Sequence, residues 1–99
     1  MRKIICYKGS SVTDETTESD LLSRYGEAFS GPDCVVLVFE RVFGEVLVCT
    51  DPGHLWENRR RLAGGISLVL RVPQSAWRQV EDLFDEEALY DCRPLAFAA

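Results

Sequence analysis

The chain has 99 residues, 46% of them apolar and 27% charged, a balance that excludes wholesale disorder and predicts one α+β domain over residues 1–99. Its net charge of −5 excludes a general binder of nucleic acid or anionic membrane, because both need a basic surface. No run approaches the roughly 20 apolar residues of a membrane span. The apolar run after Arg2 and Lys3 is cut by Lys8 and Gly9, so no secretory leader is expected and a cytoplasmic location is.

Residues 2–7 (RKIICY) read as a strand ended by Lys8-Gly9-Ser10. Residues 9–17 are polar and turn-rich, a loop. Thr17 and Asp20 have the spacing of a capping box, with aspartate where glutamate or glutamine is usual. The helix that follows runs to about Phe29. Leu21, Leu22, Tyr25, Ala28 and Phe29 form its apolar stripe, and Gly31-Pro32 end it.

Residues 34–50 (CVVLVFERVFGEVLVCT) are the most apolar stretch and predict a β-hairpin turning around residues 41–44. The unbroken apolarity of residues 35–39 requires cover on both faces. Asp51-Pro52 predicts a cap and first position for a helix over residues 52–63, stopped by Gly64-Gly65. Residues 66–72 predict a strand with Ile66, Leu68, Leu70 and Val72 on one face. Pro73 opens a last helix with the stripe Ala76, Trp77, Val80, Leu83 and Phe84.

Carried past Phe84, that helix would bring Glu87 into its stripe and set Asp85, Glu86 and Glu87 against its dipole. A break near residues 84–85 is therefore expected, with Asp85 capping a new turn through about Tyr90. The apolar tail, Leu95, Ala96 and Phe97, is expected to dock on the body. The order β-α-β-β-α-β plus a C-terminal helix fits a four-stranded, mainly antiparallel sheet in the ferredoxin-like layout. That layout makes residues 2–7 and 45–50 the central strands and leaves the last helix to cover the far face. A meander of residues 34–50 and 66–72 with an irregular lobe is the alternative.

Catalytic signatures are sparse. His54 is the lone histidine, so thiol chemistry would pair it with Cys49, five residues before it across a turn and near a helix start. The bland reading is a first-turn histidine beside a buried cysteine. Cys6, Cys34, Cys49 and Cys92 form no CxxC. Reduced buried thiols are favoured over disulfides or zinc, and neither metal nor cofactor is expected. Arg60 and Arg61 suit the end of a helix, whereas Arg59 falls in the middle of the apolar stripe of Leu55, Trp56, Leu62 and Ala63. It must snorkel, pair with a carboxylate, or face a small ligand.

Acidic residues cluster more than basic ones. Glu81, Asp82, Asp85, Glu86, Glu87 and Asp91 crowd into residues 81–91 with no lysine or arginine among them. A solvated face explains such a cluster. So does a docking surface for a basic partner, with Tyr90 as a nearby anchor. The sequence reading is a non-enzymatic cytoplasmic inhibitor, physically analogous to immunity proteins, antitoxins or phage-encoded inhibitors. Its partner would be a protein with a basic surface: a toxin, a nuclease or a nucleic-acid-binding complex. The alternative is a ferredoxin-like regulatory module that homo-oligomerises through a sheet edge and binds a small ligand near Arg59.

Overall fold

The computed structural model describes residues 3–31 and 33–93. It is an α+β structure built on a mixed five-stranded sheet. The strands are β1 (Ile5–Ser10), β2 (Cys34–Glu40), β3 (Val46–Cys49), β4 (Ile66–Pro73) and β5 (Leu89–Asp91). The helices are α1 (Glu18–Tyr25), α2 (Gly53–Glu57) and α3 (Trp77–Glu81). Among the described residues no helix is long and apolar enough to cross a membrane.

The strand order is β1-β4-β2-β3-β5. Four strands are mutually antiparallel as expected, but the ferredoxin-like order is not the one formed. Among the described residues β1 lies at an edge and pairs only with β4, while β4 and β2 are interior. Residues 46–49 are interior, as anticipated, with β2 on one side and β5 on the other. Charge and side-chain pattern distinguish the edges: the outer strand β1 exposes Ile5 and Cys6, whereas β2 buries Val35, Val36, Leu37 and Val38 completely. The most apolar strand therefore takes the middle, where both faces are dry.

Both faces are indeed covered. Val36, Val38, Leu47 and Cys49 meet Leu21, Tyr25, Leu55 and Leu62 on one face. Val35, Leu37, Val46 and Val48 meet Trp77 and Val80 on the other. Helices α1 and α2 thus cover one side and α3 the other, with Phe84 set against Phe39 at a centroid distance of 5.6 Å.

Local chemistry explains most boundaries. The Thr17 hydroxyl accepts the Asp20 N–H at 3.1 Å, and the Asp20 carboxylate accepts the Thr17 N–H at 2.9 Å, completing the predicted capping box. After α1 the chain tightens into a 3-10 turn over Gly26–Phe29. Leu22, expected in the buried stripe, is 42% exposed, because this short helix sends a narrow strip into the core. β1 continues through Gly9 to Ser10 instead of ending at Lys8. Gly9 is the close-approach position: a side chain there would collide with the backbone of Ile66 and Ser67.

β4 departs from simple alternation. Phe39 pairs with Leu68 and Glu40 with Ile66, so the register slips at Ser67. This bulge turns Ile66 toward α1 and α2, while Leu70 and Val72 face α3. The expected single face of Ile66, Leu68, Leu70 and Val72 is thereby split.

α2 is shorter than the predicted residues 52–63. Asp51 Oδ1 accepts the Gly53 N–H at 2.7 Å and its carbonyl accepts the His54 N–H at 3.0 Å. Beyond Glu57 the chain proceeds by three-residue turns, such as Leu62 N–H to the Arg59 carbonyl at 3.1 Å. Leu62 is still delivered to the core. The predicted break after Phe84 is present: Asp85 is extended and its carbonyl accepts the Ala88 N–H at 3.0 Å. Its side chain makes no cap bond. Residues 89–91 then form a strand parallel to β3 rather than the end of a turn. The expected docking of Leu95, Ala96 and Phe97 lies outside the described residues.

Candidate docking surface

The acidic residues divide by environment. Asp82, Asp85, Glu86 and Glu87 are exposed, and their carboxylates make no hydrogen bond or ion pair among the described residues. They occupy the end of α3 and the 3-10 turn Glu86–Ala88, where the helix break turns them outward. Asp91 differs, because Arg93 grips it with two nitrogens at 2.8 and 2.9 Å. Those hydrogen bonds hold its carboxyl below the usual range, against a smaller opposing effect of burial. Glu81 is half-buried and contributes to the negative field around Arg93. Arg93, outside the acidic run in sequence, therefore answers two of its members.

Tyr90 is half-buried on the α1 and α2 side of the sheet. Along β5, Leu89 packs with the α3 side while Tyr90 packs with the α1 and α2 side. The Arg61 guanidinium lies 3.6 Å from the Tyr90 ring centroid and also reaches Glu45 at 3.2 Å. The ring is half-buried under Arg61, which in turn borders the same cleft as Glu87.

Two apolar side chains stand where the acids are. Leu83, placed by its spacing in the buried stripe of the last helix, is 79% exposed. α3 ends at Glu81, and the following turn swings Leu83 outward while Phe84 turns in. Phe43, at the tip of the β2–β3 hairpin, is 88% exposed. The tip is braced from inside by Glu40. Only 3% of Glu40 is exposed, and its Oε1 accepts the backbone N–H groups of Phe43 and of Gly44, the latter at 3.1 Å. Its Oε2 is buried without a partner among the described residues. Gly64 makes room for that carboxylate, since a side chain there would strike Glu40 and Val42.

Phe43 and Glu87 border the same cleft, about 400 Å³, together with Glu45, Arg60 and Arg61. The hairpin tip and the acidic turn thus form one continuous region. The sequence pattern assigns Leu83 to the buried stripe and gives Phe43 no role beyond the turn, so neither is expected at a docking surface. Phe43 follows a long apolar strand, and the signal that marks it is its place in the turn residues 41–44.

Arg59 resolves its conflict locally. Its guanidinium stacks on the Trp56 ring at 3.9 Å and donates to the Trp56 carbonyl at 2.7 Å. It also borders a cleft of about 300 Å³ with Arg60, Thr13, Asp14 and Thr16. Arg60 is exposed, and its side chain has no polar partner among the described residues.

The Cys49 and His54 side chains have separate partners. His54 is buried, and its Nδ1 accepts the N–H groups of Thr50 and Asp51 at 3.3 and 3.4 Å, tying the turn that opens α2. The Cys49 thiol meets Cys92 instead, and that contact together with burial pushes it far above the usual range. A nucleophilic thiol needs the opposite shift. Of the four cysteines expected to be buried, Cys49 is, Cys34 and Cys92 are half-buried, and Cys6 is exposed on the edge strand. Among the described residues no group of three or more His, Cys, Asp or Glu is placed to hold a metal ion.

Comparison of the chain with protein-family models, with curated proteins and with solved structures finds no match.

Proposed function

We propose that the protein is a non-enzymatic inhibitor that docks a basic protein surface through its acidic C-terminal region and the adjoining hairpin tip. One observation carries this reading. Four exposed, unpartnered carboxylates, those of Asp82, Asp85, Glu86 and Glu87, lie within five residues of the exposed Leu83 in sequence and reach by way of Glu87 to the cleft beside Phe43. Charge of one sign steers a basic partner and sets its orientation. Exposed apolar side chains supply affinity once they are covered, because the gain on burial is a few kcal/mol each, roughly 1.5–3. Leu83 and Phe43 take the anchoring part in this reading, and Tyr90 supports the sheet beneath. The partner is a toxin, a nuclease or a nucleic-acid-binding complex, and the site of action is the cytosol.

Isolation of the partner from the source cell, followed by binding with the four carboxylates neutralised, tests the proposal. A partner whose affinity is indifferent to both salt and these residues would sink it.

A second reading draws on the cleft at Arg59. Arg59 and Arg60 border it together, and Arg60 has a free guanidinium to offer an anionic small molecule. In that reading the open edge of β1 joins two copies. Sedimentation separates the two: a stable homodimer without any partner favours the ligand-binding module, a monomer the inhibitor.

A further inference from the structure

Cys49 is the last residue of β3, and Cys92 is the first residue after β5. The two strands run parallel with Val46 opposite Leu89, Leu47 opposite Tyr90 and Val48 opposite Asp91. Continuing that register by one residue sets Cys92 opposite Cys49. The backbone keeps it, because the Cys92 N–H donates to the Val48 carbonyl at 2.9 Å. Both side chains belong to the α1 and α2 face of the sheet. Neighbouring strands lie about 4.8 Å apart, inside the Cα separation of roughly 4.4–6.8 Å that a disulfide spans. Chain folding has thus brought together two thiols separated by most of the second half of the sequence. Cys6 is on the opposite edge strand and Cys34 hydrogen-bonds weakly to the Ala28 and Gly31 carbonyls.

We infer that Cys49 and Cys92 are a reversible disulfide site that fastens β5, and with it the acidic turn, to the body of the sheet. The oxidant is a low-molecular-weight disulfide. The half-buried Cys92 is the residue that meets it, and its contact with Cys49 draws its thiol down while burial opposes. Cys92 loses its proton, and its sulfur attacks one sulfur of the oxidant. One thiolate leaves, and Cys92 is held in a mixed disulfide. With Cys92 held in the mixed disulfide, the thiol contact that raises Cys49 most is gone; Cys49 then gives up its proton and attacks the Cys92 sulfur, expelling the second thiolate. The protein loses two hydrogens and two electrons, and the oxidant becomes two thiols. A reducing thiol reverses the sequence. Among the described residues β5 is a three-residue edge strand that pairs with β3 alone. It is therefore the strand most changed by a covalent tie.

The test treats the folded protein with excess oxidised glutathione and reads intact mass, peptide map and melting midpoint. The expected wild-type product carries a Cys49–Cys92 cross-link, with two hydrogens lost at these residues and no glutathione on either, whatever the exposed Cys6 takes up, and melts higher by on the order of 10 °C. Cys49→Ser should instead retain glutathione on Cys92. Cys92→Ser, at the more exposed position, should neither lose two hydrogens nor gain in melting midpoint. The inference is overturned if wild type keeps glutathione at Cys92, stays fully reduced, or links either residue to Cys6 or Cys34. Should Cys49→Ser fail to fold, the wild-type map and Cys92→Ser decide the matter alone.

Discussion

Glu40 accepts the backbone N–H of Phe43 from inside the protein, and the ring of Phe43 stands in solvent as a result. A buried carboxyl side chain braces the turn of a hairpin whose tip is itself exposed. Glu40→Ala removes the acceptor for Phe43 and Gly44 and leaves a void beside Gly64. The expected loss is about 1–3 kcal/mol, from two backbone N–H groups left without their acceptor, read as a lowered urea midpoint. Partner binding should weaken as well, because the tip is no longer held.

Phe43→Ala and Leu83→Ala should behave in the opposite way. Both side chains are exposed, so folding stability should stay within about 0.5 kcal/mol of wild type. Affinity for the partner should fall at least about tenfold for one of the two. Tyr90→Ala supplies the contrast. Its ring packs against the core and under Arg61, so its removal should cost about 2 kcal/mol or more in stability. Urea unfolding and calorimetric titration of the same three variants separate the two kinds of residue.

Thr17→Ala should cost about 1 kcal/mol. The substitution removes the acceptor for the Asp20 N–H and undoes one half of the capping box. Equilibrium unfolding of the variant checks it, and Thr17→Ser should recover most of the loss.

The order of elements and the two-sided burial of β2 are legible in the sequence because they follow from local pattern. Thr17 and Asp20 mark a helix start by their own hydrogen bonds, and residues 35–39 announce their burial by having no polar member. Strand order is not local. Nothing in residues 66–72 says that they insert between β1 and β2, and the bulge at Ser67 that splits their apolar residues depends on pairing with Phe39 and Glu40. β5 is only three residues long and follows a helical break, so its strand character comes from β3 rather than from its own sequence. The proposed docking surface was legible as a charge cluster. Its anchors were not, because Leu83 keeps helical spacing past the point where the helix stops, and Arg93 compensates Asp91 from just beyond the cluster.

Stability should fall in acid for identifiable reasons. Hydrogen bonds with Thr17 hold the Asp20 carboxyl below its usual range, and hydrogen bonds from Arg93 do the same for Asp91. A carboxyl with a depressed folded-state pKa contributes stability that is fully present above the unfolded value. The contribution is lost as the pH falls through the folded value. Urea midpoints should therefore decline as the pH drops below about 4. Asp20→Asn and Asp91→Asn should each flatten the decline, and both carboxyls are largely exposed, so each effect should be small.

The most direct measurement is the affinity for the partner isolated from the source cell, titrated against salt. Wild type is compared with a variant carrying Asp82→Asn, Asp85→Asn, Glu86→Gln and Glu87→Gln. The account predicts that wild-type affinity drops steeply with rising salt, and that the variant binds about tenfold or more weakly with a shallower salt dependence. Equal affinity for both proteins, with no dependence on salt, would contradict it.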